Sequence, residues 1–283
     1  MILALNGGGM RGGLQVGALA ELARQTGESH VYKLFPGGVY GISVGAIVGA
    51  YVAFGFSMDD ISEIIIKWAS VPLSPPTLQS VLNFPTEHGL DDGAVIRERM
   101  RQDFSKHGMN FDDLCIGDAL IPLRVVATDC VNVRSVVFGK GVKVWDALRS
   151  STSLPLVYKP HTFECGTFSD GVLMCDNIMH AIPVEDRPKV LFLLITRTIP
   201  VDIRVFMATF HVLRSMRACR KTKDTYPETT CMLIDDETES INIWSSKESA
   251  RAVVERGVTI FREFYTGILR ASFAPSAVTM NSS

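Results

Sequence analysis

The feature that most constrains this chain is the pentapeptide Gly41-Ile42-Ser43-Val44-Gly45, set between a short strand-like run, Val39–Ser43, and an apolar helical run from Val44 to about Phe54. A serine at such a strand-to-helix junction sits on a sharp turn with its hydroxyl exposed, and the flanking glycines relieve crowding around it. An upstream strand, Ile2–Asn6, leads into Gly7-Gly8-Gly9-Met10-Arg11-Gly12-Gly13 and then a helix over Gly13–Gln25, with Leu14, Val16, Leu19 and Leu22 near helical spacing. Two strand–glycine–helix units in the first fifty-odd residues point to an α/β fold.

The remainder keeps the alternation. A helix is expected over Ile61–Trp68, opened by Met58-Asp59-Asp60, whose acids suit a helix N-terminus. Val71–His88 carries four prolines and is expected to be a long loop. Asp91-Asp92 caps a helix to about Lys106, Ile121–Thr128 and Val131–Phe138 form a strand pair, and Val144–Ser151 is a short helix. Thr162–Asp170 reads as extended, Val190–Thr196 as a buried strand, Val201–Arg217 as a helix, Thr230–Ile234 as a strand and Lys247–Arg270 as a closing helix. The pattern predicts a mostly parallel central sheet with helices on both faces, in three layers. No repeat or linker divides the chain, so residues 1–271 are expected to form one domain, with 272–283 a frayed tail.

Composition narrows the function classes. The 283 residues carry a formal net charge of −2, without the basic excess a general nucleic-acid binder needs. A local patch for a membrane surface remains compatible with that balance. Nothing at the N-terminus resembles a signal peptide, and the longest apolar run, Ala46–Phe56, is far short of the ~20 residues that span a bilayer. The six cysteines are scattered without a C-x-x-C pair, which suits a reducing compartment. A cytoplasmic or peripherally membrane-associated protein is the expectation.

Three glycine-marked sites could carry chemistry. In Gly7–Gly13 the backbone N–H groups and the following helix N-terminus form an anion-binding nest. The same residues satisfy G-x-G-x-x-G, but the next strand ends in Ser43 rather than in the acid a dinucleotide site requires. In Gly41–Gly45, Ser43 is a candidate nucleophile and the Val44 N–H can face a developing oxyanion. In Ser169-Asp170-Gly171 the acid stands at a turn. No Cys/His spacing suits a metal, and Asp235-Asp236-Glu237 lacks a calcium-loop pattern, so metal-independent chemistry without a cofactor is expected.

The order of the three sites resembles the patatin-like phospholipase family, whose marks are G-G-G-x-R/K-G, G-x-S-x-G and D-G-G/A. Here they stand as Gly7–Gly12, Gly41–Gly45 and Asp170-Gly171-Val172. Val125–Asp129 is similar to the family's mid-domain strand, Ser150–Pro160 to its Ser/Pro segment, and Asn177 to its later Asn. Val172, Ile178 and Asn6 depart from the usual Gly/Ala, Pro and Asp.

The resemblance implies a lipid acyl hydrolase working through a Ser43–Asp170 dyad. Ser43 would attack an ester carbonyl, Asp170 would act as base, and amides around Gly8, Gly9 and Met10 would hold the oxyanion. Arg11 would brace the loop or meet a lipid phosphate. Two alternatives stand beside it: a Ser-His-Asp esterase using His180 or His211, and a catalytically silent lipid-binding protein that kept the fold. The substrate would be a phospholipid or other glycerolipid at a membrane surface, with Val71–Pro85 as lid or packed cover. The basic string Arg214, Arg217, Arg220, Lys221, Lys223 is a candidate headgroup contact.

Overall fold

The computed structural model describes residues 1–69, 76–164, 166–197, 206–235 and 246–269. Its centre is an eight-stranded sheet. The strands are β1 (Ile2–Leu5), β2 (Val39–Ile42), β3 (Leu123–Asp129), β4 (Arg134–Phe138), β5 (His161–Phe163), β6 (Gly166–Asp170), β7 (Val190–Thr196) and β8 (Thr230–Ile234). The helices are α1 (Gly12–Thr26), α2 (Val44–Ala53), α3 (Met58–Ala69), α4 (Leu78–Glu87), α5 (Ala94–Lys106), α6 (Val144–Ser151), α7 (Phe206–Thr225) and α8 (Lys247–Phe264).

Strands β8, β7, β1, β2 and β3 run parallel in that order, while β4, β5 and β6 join through antiparallel pairs. Alternate residues of the parallel strands feed two cores. Leu3, Leu5, Leu191 and Leu193 pack with α1, α2 and α8 on one face. Ile2, Ala4, Phe192 and Leu194 pack with Ile178, Met179 and Cys219 on the other. Both faces are therefore covered, as continuously apolar parallel strands require.

The end of β2 and the end of β6 meet on one edge of β3. Val125 pairs with Gly41 of β2 on one side and Phe138 of β4 on the other. Ala127 pairs with Val136 of β4 and Asp170 of β6. Because β4 occupies the far edge throughout, β2 and β6 must share the near one. Ile42 lies opposite Val126 and Asp170 opposite Ala127, so the two strands run toward each other and stop head to head.

Two sequence expectations change. Leu78–Glu87, expected within a loop, is helix α4: the Thr77 side chain caps it by accepting from Ser80 N–H at 3.1 Å, and the helix runs through Pro85 at the loss of one i→i−4 hydrogen bond. Thr162–Asp170, expected as one extended run, is a β5–β6 hairpin. The five described cysteines are free. Cys165, residues 70–75, the first residues of the Val201–Arg217 helix, Asp236-Glu237 and the 272–283 tail lie outside the described residues. Asp235 is buried and pairs with Arg256.

Candidate active site

Ser43 caps α2 at φ 54°, ψ −127°, a positive-φ conformation that costs a non-glycine residue about 1–3 kcal/mol. Its surroundings explain the two glycines of the elbow. A Cβ on Gly41 would lie 2.5 Å from Ala46 Cα, and one on Gly45 would lie 2.4 Å from the Leu5 carbonyl oxygen. Both positions are closed to any side chain, so the turn can be this tight only with glycine there. The Ser43 carbonyl accepts from the N–H groups of Ala46 at 2.9 Å and Ile47 at 3.3 Å, which ties the strained residue to the helix. Its N–H donates to Ser151 Oγ at 2.8 Å.

Asp170 ends β6 and is fully buried. Its Oδ1 accepts the Val172 N–H at 3.0 Å, and the Ser43 hydroxyl lies near enough to favour its ionised form. Burial pushes the Asp170 carboxyl up to about 7, against the opposing pull of the Val172 amide and the Ser43 hydroxyl. That is where a general base working near neutral pH is most effective. Gly171 is fixed by crowding, since a Cβ there would meet the Val126 carbonyl oxygen at 2.5 Å. Val172, at the position where the family has Gly or Ala, supplies the capping N–H, and its side chain covers Gly7.

The glycine loop lies over the nucleophile. A Cβ on Gly7 would stand 3.2 Å from Ser43 Cβ, and one on Gly12 would stand 2.4 Å from Val44 Cγ2, so the loop touches the elbow directly. Gly9 adopts φ 57°, which suits glycine. Arg11 N–H is engaged with the Gly8 carbonyl at 3.2 Å, and Gly12 N–H with the Gly9 carbonyl, which leaves the amides of Gly8, Gly9 and Met10 as candidate donors. The Arg11 side chain is buried and its Nε folds back toward the Gly8 carbonyl at 3.4 Å. Asn6, where the family often has Asp, bridges β1 to β7: its Nδ2 donates to the Ile195 carbonyl at 3.0 Å and its Oδ1 accepts the Ile195 N–H at 2.8 Å.

His180 is exposed, and the Asp170 carboxylate accepts the Val172 N–H rather than an imidazole N–H. The His211 side chain lies outside the described residues. Asn177 is a structural anchor: it caps a short helical turn by accepting the Met179 N–H and holds α7 through Ala218 and Thr222. Of the basic string on α7, Arg214 pairs with Asp176 at 3.4 Å, and Lys223 donates to the carbonyls of Pro227 and Thr230. A crevice of about 30 Å³ opens beside Gly7, Ile42 and Val172, too small for an acyl chain. A larger cavity of about 440 Å³, between α3 and α5, is lined by none of these residues.

Residues 3–185 match the family described as patatin-like phospholipase. The chain belongs to the patatin-like phospholipase family. A cUMP-AMP-activated phospholipase of Escherichia coli is 28% identical over 168 residues, covering 54% of this chain and 46% of that protein. An uncharacterized protein of Acanthamoeba polyphaga mimivirus is 28% identical over 173 residues, covering 60% of this chain and 57% of its own length. The chain thus spans about half the length of the curated relatives it matches. Among solved structures, VipD from Legionella pneumophila superposes with a TM-score of 0.57 at 14% identity, covering 94% of this chain and 66% of that one. The family match bears out the patatin-like fold expected from the sequence.

Proposed function

We propose that the protein is a lipid acyl hydrolase that cleaves carboxylic esters of membrane glycerolipids through Ser43 and Asp170. The observation that carries this reading is the convergence of Ser43, on the strained elbow after β2, and the fully buried Asp170 carboxyl, at the end of β6, where the two strands meet on β3. An ionised Asp170 takes the hydroxyl proton as Ser43 Oγ attacks the ester carbonyl carbon. Negative charge then develops on the carbonyl oxygen, within reach of the Gly8, Gly9, Met10 and Val44 amides. Losing one such donor typically costs about a hundredfold in rate. Protonated Asp170 returns the proton to the leaving alcohol, and in the second half-reaction it deprotonates the water that frees the fatty acid. Arg11 serves the loop as a brace, because its guanidinium stem is buried against the Gly8 carbonyl.

Helix α4 supports contact with a membrane surface. Ser80, Asn83, Phe84 and Glu87 are partly covered, and the exposed side carries three large apolar residues beside Gln79 and Thr86. Leu78, Val81 and Leu82 are 76%, 52% and 64% exposed at helical spacing. The helix is moored to the segment that follows α6: Glu87 pairs with Lys159 at 2.7 Å, and the Leu90 and Asp91 amides both donate to the Val157 carbonyl. Next to Val157, exposed Leu156 stands at φ 71°. These residues form an apolar rim suited to meeting lipid.

The test is fatty-acid release from phosphatidylcholine vesicles in the presence of chelator, comparing wild type, Ser43→Ala and Asp170→Asn. The assay is run with and without a cyclic dinucleotide, because the E. coli relative is named for activation by one. Release by wild type alone is expected. Equal release by Ser43→Ala overturns the dyad. Absence of release across phospholipid, galactolipid and glyceride substrates favours a silent lipid-binding protein.

A further inference from the structure

We infer that the C-terminal turn of α6 is a clamp that holds both members of the dyad in register, with Ser151 as the positioning residue for the nucleophile. The inference rests on the acyl-hydrolase reading above and adds a part of the machinery outside the glycine loop, the elbow and the Asp-Gly turn.

The head-to-head meeting of β2 and β6 creates a geometric problem. The two strands end against each other, so neither continues the ladder past the point where the reacting groups must sit. Ser151 and Ser153 occupy this junction and are fully buried. Ser151 Oγ accepts the Ser43 N–H at 2.8 Å and donates to the Val126 carbonyl at 2.6 Å, joining the elbow to β3 where β2 leaves the sheet. Two residues on, the Ser153 carbonyl accepts the Asp170 N–H at 3.0 Å and the Ser169 hydroxyl at 2.8 Å. One turn of chain therefore grips Ser43 at one point and Asp170 at another, and the covalent path between Ser151 and Ser153 fixes their separation.

The clamp is itself anchored. Ser153 Oγ donates to the Arg149 carbonyl at 2.7 Å and accepts from Arg149 Nη1 at 2.6 Å. The buried Arg149 guanidinium also donates to the carbonyls of Asp92 and Lys159, each at 2.8 Å. The strained conformation of Ser43 makes this support matter. A non-glycine residue at φ 54° relaxes unless its surroundings over-determine it. Removing the Ser151 hydroxyl strips the Ser43 N–H of its acceptor and frees the elbow to move. Displacement of a nucleophile by a fraction of an ångström to one ångström is enough to slow attack by up to about a hundredfold.

Ser150 supplies the control. It is as deeply buried in the same helix, but its hydroxyl donates to the Asp146 carbonyl at 2.7 Å within α6 and does not reach the dyad. Ser151→Ala is expected to lower kcat on a soluble ester, p-nitrophenyl butyrate, by about 10- to 100-fold. The rate of Ser43 labelling by a fluorophosphonate falls by a similar factor, and KM stays within a few-fold. Ser150→Ala is expected to leave kcat, KM and labelling near wild type while losing comparable thermal stability. Equal kcat and labelling rates in the two variants would overturn the inference. If Ser151→Ala does not fold, Ser151→Cys keeps the volume, weakens the acceptor, and carries the same comparison against Ser150→Ala. Amide exchange separates this failure from failure of the hydrolase reading. Should wild type prove inert to ester and probe, faster exchange at Ser43 in the Ser151 variant alone still supports the clamp, and unchanged exchange at Ser43 sinks it.

Discussion

Replacing Asp170 by Asn should abolish hydrolysis and, above neutral pH, make the protein more stable. Asp170 has an ordinary carboxyl pKa of 3.8 when unfolded and about 7 when folded, because burial penalises its ionised form. Between these two values the folded state holds a proton that the unfolded state has released. Stability therefore falls as pH rises, by about 1.4 kcal/mol per pH unit. Above pH 7 both states are ionised and the loss levels off, at about 4 kcal/mol in total. Asparagine carries no such penalty. The variant and wild type should thus differ little in slope below pH 4, diverge between pH 4 and 7, and run parallel above it. At pH 8 the gap should be on the order of 10 °C in Tm. Denaturant unfolding at pH steps from 4 to 8 measures this directly. Contacts altered by the amide are the same at every pH, so they offset the curves without changing their divergence. Wild-type kcat/KM should rise through an apparent pKa near 7, since the ionised form is the base. A stability difference that stays flat from pH 4 to 8 would refute the claim that Asp170 is held as a desolvated base.

Further outcomes test other parts of the structure. Ser43→Gly should remove all activity yet raise stability by about 1 kcal/mol, because glycine tolerates φ 54°; no gain in denaturant midpoint would mean that the elbow is unstrained. Leu78→Glu combined with Leu82→Glu should abolish binding to phosphatidylcholine vesicles in a sedimentation assay, with hydrolysis of a soluble ester and Tm both retained, because neither side chain is buried. Gly257→Ala should destabilise by about 1–3 kcal/mol in chemical denaturation, since its Cβ would stand 2.3 Å from the Leu14 carbonyl oxygen where α1 and α8 cross. Glu21 is held near 2 by its hydrogen bond to Arg24, then Arg262 and Gln25, against burial. Its contribution should be complete above pH 4.5 and lost as pH falls toward 2. Glu21→Gln should cost about 1–2 kcal/mol at pH 7, a modest figure because both arginines are half exposed, and should speed amide exchange in α8.

Much of the fold is legible in the chain because the signals are local. The ranges of β7 and β8 follow from apolar runs bounded by polar residues, α6 from Val144, Trp145, Ala147 and Leu148 at helical spacing, and α2 from an apolar run opened by the glycine elbow. Prolines at 72, 75, 76 and 85 conceal α4, although only Pro85 falls inside it, and the helix carries it at the loss of one backbone hydrogen bond. The β5–β6 turn is hidden because Gly166 stands among residues with strong strand character. At the site, glycine spacing marks Ser43 and Asp170, because steric closure around Gly41, Gly45 and Gly171 leaves no other residue possible. Ser151 and Ser153 carry no such mark. A serine that donates within its own helix and one that bridges two strands look alike in sequence, as Ser150 and Ser151 demonstrate. The only available hint is their place in the Ser/Pro segment before Asp170.

The dyad is a consequence of strand register. Side chains alternate across a sheet, so slipping β6 by one residue along β3 would carry Asp170 to the opposite face and put Ser169 in its place. Hydrophobic patterning alone does not prevent this, because the buried end of β6 is Phe168-Ser169-Asp170, with one apolar residue. Polar contacts must hold the register instead. Thr128 Oγ1 donates to the Asp170 carbonyl at 2.9 Å, Ser169 Oγ donates to the Ser153 carbonyl, and the Asp170 N–H donates to that same carbonyl. Each of these pins a backbone or hydroxyl group of β6 to a neighbour that a one-residue slip would remove. Thr128→Val, close to isosteric but without the donor, therefore bears on catalysis as well as stability. It leaves the Asp170 carbonyl without one partner and loosens the register that sets Asp170 beside Ser43.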